Sequence, residues 1–228
     1  MHQIIYQNHH FQLTLDKDQG TICIFELKGE MLIPFINDCE WGCKLEDGNR
    51  VFSSNEEHEI RAKTFVYEDN LGKGTCVEVE CKGLGNMPTM LLRVSFYNNQ
   101  PAFLVENLVV NGAKEDIHVI EIYPLITGYA EQSTLFFVTD PSRSRILEAG
   151  LAGAFDLNVR CVFGNEEIDS NGNMLVYDMK TRTSFLCGLI ERPSGMVEIL
   201  VNEDKEPSLQ HKESGRKGFG DMTIKKSI

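Results

Sequence analysis

The sequence predicts an all-β protein, a large antiparallel sandwich. Three observations predict it. Apolar and polar residues alternate with a period of two along most of the 228 residues. Clusters of Gly, Asn and Asp punctuate the alternating runs at hairpin spacing. Helical patterning is nearly missing: only Ser144 to Ala149 suits a turn or two of helix, limited by Gly150 and Gly153. About fourteen strands joined by short turns bury their apolar faces by packing sheet on sheet.

The elements follow in order. Phe11 to Leu15 and Thr21 to Glu26 flank Lys17-Asp18-Gln19-Gly20, a hairpin-like turn. Met31 to Ile36 follows Gly29, and Gly42 to Glu46 and Arg50 to Ser53 flank Asp47-Gly48-Asn49, a turn signal headed by Asp-Gly. Trp41 is placed in a turn after Asp38. Glu57 to Tyr67 and Gly74 to Lys82 alternate over long spans. Met90 to Tyr97 puts Met90, Leu92, Val94 and Phe96 on one face, and Leu91, Arg93, Ser95 and Tyr97 on the other. With Ala102 to Val110 and Asp116 to Leu125 it reads as a three-stranded meander. Later strands are Thr134 to Val138, Asn158 to Phe163, Met174 to Tyr177, Ser184 to Ile190 and Met196 to Val201. The sandwich domain is therefore expected over 1–201. Residues 202–228 form a polar loop and a short terminal strand or tail, since Asn202 to Lys217 holds one strongly apolar residue, Leu209.

Composition narrows the function classes. Lys plus Arg is 22 and Asp plus Glu is 34, a net charge of −12 that repels phosphate backbones and anionic lipid. Nucleic acid and membrane are accordingly not expected as partners. Apolar runs such as Met31 to Ile36 fall well short of the ~18 residues of a membrane helix. The first residues, Met1-His2-Gln3-Ile4-Ile5-Tyr6, show no basic stretch and no long apolar run, so a secretory signal is not expected. Seven cysteines, an odd number spread along the chain, and no Asn-x-Ser/Thr acceptor point to a reducing compartment, a cytoplasm.

Motifs that carry chemistry are sparse. Cys39, Cys43, Cys76 and Cys81 do not form a zinc set: five residues apart in a strand, Cys76 and Cys81 point to opposite faces. His9 and His10 diverge in the same way, and His118, in a strand, is a sheet histidine unless it moves protons. Glu78, Glu80 and Glu106 face strands and are expected to be solvated or paired across them. No Gly-x-Ser-x-Gly, dinucleotide or Walker pattern occurs, so no catalytic residue, metal or cofactor is nominated. Trp41, the single tryptophan, either stacks on a sugar ring from a loop or anchors a core or interface. Asp140-Pro141-Ser142-Arg143 is a polar loop whose Asp140 and Arg143 either hydrogen-bond a ligand or simply make a turn. Trp41, Asp140 and Arg143 are thus the candidate substrate-binding residues.

Two segments carry a family resemblance. The first runs from Leu91-Leu92-Arg93-Val94-Ser95-Phe96-Tyr97-Asn98-Asn99-Gln100-Pro101 through Val105-Glu106-Asn107-Leu108 to Ile120-Glu121-Ile122-Tyr123-Pro124-Leu125. The second is Ser170-Asn171-Gly172-Asn173-Met174-Leu175-Val176-Tyr177-Asp178 followed by Ser184-Phe185-Leu186-Cys187-Gly188-Leu189-Ile190. Together they resemble the N-terminal β-supersandwich, of galactose mutarotase-like topology, of α-galactosidase-like (melibiase-type, family 36-like) glycoside hydrolases. The resemblance covers roughly residues 11 to 201. It implies a non-catalytic domain that packs on a (β/α)8 barrel, borders a galactoside-type sugar and supports a homo-oligomer. The family's activity lies in that following barrel, on a Lys-x-Asp strand that this sequence lacks. In some bacterial relatives a tryptophan of this domain approaches a neighbouring active site; Trp41 lies in a different local context, so the role is not transferred. Two rival readings stand beside it. A free-standing sugar mutarotase or epimerase needs an acid and a base in a cleft, and its His-Pro-Tyr-Phe style motif is missing. A lectin-like module needs an exposed aromatic platform.

Overall fold

The computed structural model describes residues 3–55, 58–84, 87–112, 116–127, 134–135, 144–149, 157–161, 168–188, 197–201 and 222–227. Every regular element among them is a β-strand, so the all-β class read from the alternation holds. Contacts divide the chain into two units, Met1–Phe35 with Cys39–Leu125, and Ile36–Asp38 with Ile126–Ile228.

The first unit is built from two sheets. In sheet I the order is β1 (Gln3–Gln7), β2 (Phe11–Asp16), β3 (Thr21–Lys28), β4 (Met31–Leu45) and, beyond β4, β10 (Val119–Ile126), with β5 (Arg50–Phe52) also paired to β4. Sheet II is an antiparallel meander of β6 (His58–Asp69), β7 (Gly72–Gly83), β8 (Thr89–Tyr97) and β9 (Phe103–Val110). Alternation decides which residues meet. Leu13 pairs Ile24 and Leu15 pairs Ile22, and all four have 1% exposure or less. Across the core, Met90, Leu92, Val94 and Phe96 are fully buried beside Val77, Val79 and Cys81, as the face assignment predicts. Phe11 of sheet I meets Phe103 edge-on at 5.2 Å and Phe96 at 6.0 Å in sheet II, which locks the sheets face to face.

Two expectations fail here for physical reasons. The meander read from Met90 to Leu125 keeps β8 beside β9, but its third strand leaves for the other sheet and lies next to β4. The Asn107 side-chain amide on β9 donates to the carbonyls of Gly42 on β4, at 2.9 Å, and of Tyr123 on β10, at 3.0 Å, so one side chain bridges the sheets where the chain changes layer. Alternation identifies a strand and leaves its neighbour open. Trp41 is not in a turn either. Asp38 takes a left-handed φ of 45° within β4, which runs unbroken through Leu45 and carries Trp41 as a strand residue.

In the second unit β11 (Thr134–Leu135) pairs residues Asn37 and Ile36 of β4. A four-stranded sheet has the order β13 (Leu157–Cys161), β12 (Ser144–Ala149), β15 (Asn173–Asp178) and β16 (Thr183–Gly188). Further strands β14 (Ile168–Asn171), β17 (Val197–Val201) and β18 (Met222–Ser227) pair in succession. The segment read as a short helix is strand β12. Its Ile146 is opposite both Arg160 and Val176 and is fully buried, so pairing on two sides overrides local helix propensity. Strand β1 was not expected from sequence, and Met222–Ser227 of the terminal segment is a strand. The polar stretch Asn202 to Lys217 lies outside the described residues.

Candidate functional site

Trp41 is fully buried on β4, with its backbone N–H donating to Ser53 Oγ at 3.3 Å and its carbonyl accepting from Ser53 N–H at 2.9 Å. A ring without accessible surface packs; it does not stack on a sugar in this arrangement. Asp140 and Arg143 lie outside the described residues. Cys23, Cys39, Cys43, Cys76, Cys81 and Cys187 are free thiols. Burial pushes Cys43 up to about 11 and Cys81 up to about 12, so both stay protonated and poorly nucleophilic at neutral pH. No group of three or more metal-ligating side chains occurs among the described residues. His118 precedes β10 in an exposed loop, its carbonyl accepting from Glu46 N–H at 2.9 Å.

Glu78 of sheet II is committed to partners. Glu78, 7% exposed, receives Lys63 Nζ at 2.8 Å from β6 and Arg93 Nε at 2.8 Å from β8. The Lys63 ammonium, against burial and with help from Arg93, holds the Glu78 carboxyl below its ordinary range. A depressed folded value stabilises the protein above the unfolded carboxyl's ~4.3 and loses that stabilisation as pH falls through the folded value. We therefore expect the urea midpoint of the native chain to drop toward that of Glu78→Gln as pH falls from neutral to below ~4. A gap between the two that stays constant across this range would contradict the ion-pair account.

A second carboxylate ties two turns together. Asp69 Oδ2 accepts from Tyr67 at 2.9 Å and Tyr97 at 2.8 Å, while Oδ1 accepts the Leu71 and Gly72 N–H groups. Desolvation raises the Asp69 carboxyl, but these four donors outweigh it and hold it low; burial, then the Asp69 carboxylate, pushes the Tyr97 phenol up. The adjacent β8–β9 turn is fastened to the same place, since Asn98 N–H donates to Lys73 O at 2.9 Å and Gln100 Nε2 to Leu71 O at 2.8 Å.

Beside this fastened turn lies an open groove of about 550 Å³, lined by Tyr6, Gln7, Asn8, His9, Asn98 and Asn99. Tyr6 and Gln7 end β1, Asn8 and His9 turn the chain into β2, and Asn98 and Asn99 open the β8–β9 turn. Asn8 is preorganised. Its Oδ1 accepts the His10 and Phe11 N–H groups at 2.8 and 2.7 Å, and its Nδ2 donates to Tyr97 O at 3.3 Å, joining the two walls. Tyr6 is half-buried and stacks on the buried Phe96, with ring centres 5.4 Å apart and planes at 30°. Sequence reading treated Asn98 and Asn99 as turn punctuation and His9 as one of a diverging pair with His10. The asparagine and glutamine clusters were visible, but their meeting across about ninety positions was not. No family model matches the chain, and no curated protein matches it.

Proposed function

We propose that the chain is a non-catalytic β-sandwich domain of an α-galactosidase-like glycoside hydrolase, acting in carbohydrate metabolism by packing on a catalytic barrel. One observation supports the reading: both segments that bear the resemblance lie in paired antiparallel strands of an all-β fold. Residues 91–110 form the β8–β9 hairpin and lead into β10, and 170–188 run through the turn at Gly172 into the β15–β16 hairpin. Fold-level likeness is an analogy for function. Glycoside hydrolysis needs two carboxyl groups held ~5–9.5 Å apart and facing the same bond. Glu78 is spent on Lys63 and Arg93, Asp69 on four donors of two turns, and Glu121 on Lys44 and Tyr123.

The purified chain is therefore expected to release no nitrophenol from an aryl α-galactoside and to leave the spontaneous mutarotation of galactose unaccelerated. Hydrolysis that persists through purification and scales with protein concentration would overturn the proposal. Accelerated mutarotation would replace it with the epimerase reading.

A further inference from the structure

We infer that the groove between β1 and the β8–β9 turn is a binding site for a neutral sugar, a free hexose or the terminal hexose of a glycoside. The inference rests on the carbohydrate reading above for its choice of hexose, and on the groove itself for the rest. Sugar hydroxyls donate and accept at once, so they are matched by side chains that do both. Gln7, Asn98 and Asn99 supply three such amides, all exposed, and none is engaged by a side-chain hydrogen bond among the described residues. His9 adds an exposed imidazole. Tyr6 supplies what the amides cannot, an aromatic face for the C–H side of a pyranose ring. Phe96 behind it, stacked at 5.4 Å, keeps that face from collapsing inward.

Other ligand classes fit less well. None of the six lining residues is Lys, Arg, Asp or Glu. A phosphate or a carboxylate would find neither ammonium nor guanidinium there, and the net charge of −12 repels it on approach. An apolar ligand would strip water from the amides and leave them unpaired. The groove is also built before the ligand arrives: Asn8 joins its walls through Tyr97, and Asp69 and Lys73 fasten the second wall. Such preorganisation lowers the ordering cost of binding. The volume of about 550 Å³ lies within the range of small-molecule sites and accommodates one or two sugar rings.

The test is a titration of the whole chain followed by amide NMR, using methyl α-galactoside, galactose, glucose and galacturonate as probes. Saturable shifts from at least one neutral probe are expected at the side-chain amides of Asn98 and Asn99 and the backbone of residues 6–9, with galacturonate weaker. The double variant Asn98→Ala/Asn99→Ala alters exposed turn positions without positive φ and should fold normally, yet weaken binding by about tenfold or more. Tyr6→Phe keeps the ring and should retain affinity, whereas Tyr6→Ala should lose it. Saturation shifts located elsewhere, equal affinity in the double variant, tighter binding of galacturonate, or no saturable neutral probe would each overturn the site. Any of these in a chain that stays inert in the hydrolysis and mutarotation assays removes the groove while leaving the proposed function standing; turnover in those assays removes the function whatever the groove binds.

Discussion

Replacing Phe96 with Ala is expected to destabilise the first unit by ~3–5 kcal/mol, the range for truncating a buried phenylalanine. The ring is fully buried on β8 and is the hub of an aromatic cluster. It touches Tyr6 at 5.4 Å, Phe11 at 6.0 Å and Phe103 at 5.8 Å, so its removal loosens both sheets at once. The neighbours hang on paired strands and cannot close the void, which keeps the cost near the top of the range. Chemical denaturation of the variant should show a much lower midpoint. Leu186→Ala, at a side chain 71% exposed on β16, serves as the control and should stay within ~0.5 kcal/mol of the native chain. An unchanged midpoint for Phe96→Ala would mean that the inner and outer faces of sheet II are exchanged.

That face was legible in the sequence because a strand has only two sides. Once Met90, Leu92, Val94 and Phe96 alternate with Leu91, Arg93, Ser95 and Tyr97, one set must be inside. Turns were equally legible where a side chain closes them locally, as Asp47 does by accepting Asn49 N–H at 2.9 Å. What alternation does not encode is partnership. β10 carries the same pattern whether it extends the meander or joins β4, and the outcome is decided by contacts such as Asn107 to Gly42, 65 positions apart. The outer face of sheet II was likewise only half readable. Glu78 looks like a surface acid by pattern, yet Lys63 and Arg93 from both neighbouring strands cover it to 7% exposure.

The candidate site was the least legible part, and the reason is geometric. Each wall of the groove is an ordinary turn: Asn8 caps the entry to β2 and Asn98 opens the β8–β9 turn. A turn-forming asparagine and a ligand-binding asparagine have the same sequence signature. The stacking of Tyr6 on Phe96 and the hydrogen bond from Asn8 to Tyr97 O bring the two turns to one place. Trp41 shows the converse. A lone tryptophan between Glu40 and Gly42 left a sugar-facing loop and a core anchor both open, and full burial on β4 selects the anchor.

Gly20→Ala is the other substitution with a large expected effect. Gly20 closes the β2–β3 turn with φ +67°, a conformation that costs a residue bearing a Cβ ~1–2 kcal/mol. Space makes it worse. A Cβ there would fall 2.1 Å from the Ser53 carbonyl oxygen, 2.6 Å from its carbon and 2.9 Å from Ser54 Cα, all backbone atoms that no rotamer change can move. Ser53 cannot retreat freely, because its Oγ donates to Gly20 O at 2.6 Å and its N–H to Trp41 O at 2.9 Å. Relieving the clash therefore pulls the β2–β3 turn away from β4, and the total cost is expected at ~2–4 kcal/mol. Gly29 provides the matched control: it has φ +65° but nothing within 4 Å of an added Cβ. Gly29→Ala should show the conformational part alone, ~1–2 kcal/mol. Urea denaturation of the two variants separates the contributions. Equal losses would show that the approach of Ser53 to Gly20 yields without resistance, and that the turn is held by its backbone conformation rather than by the serine.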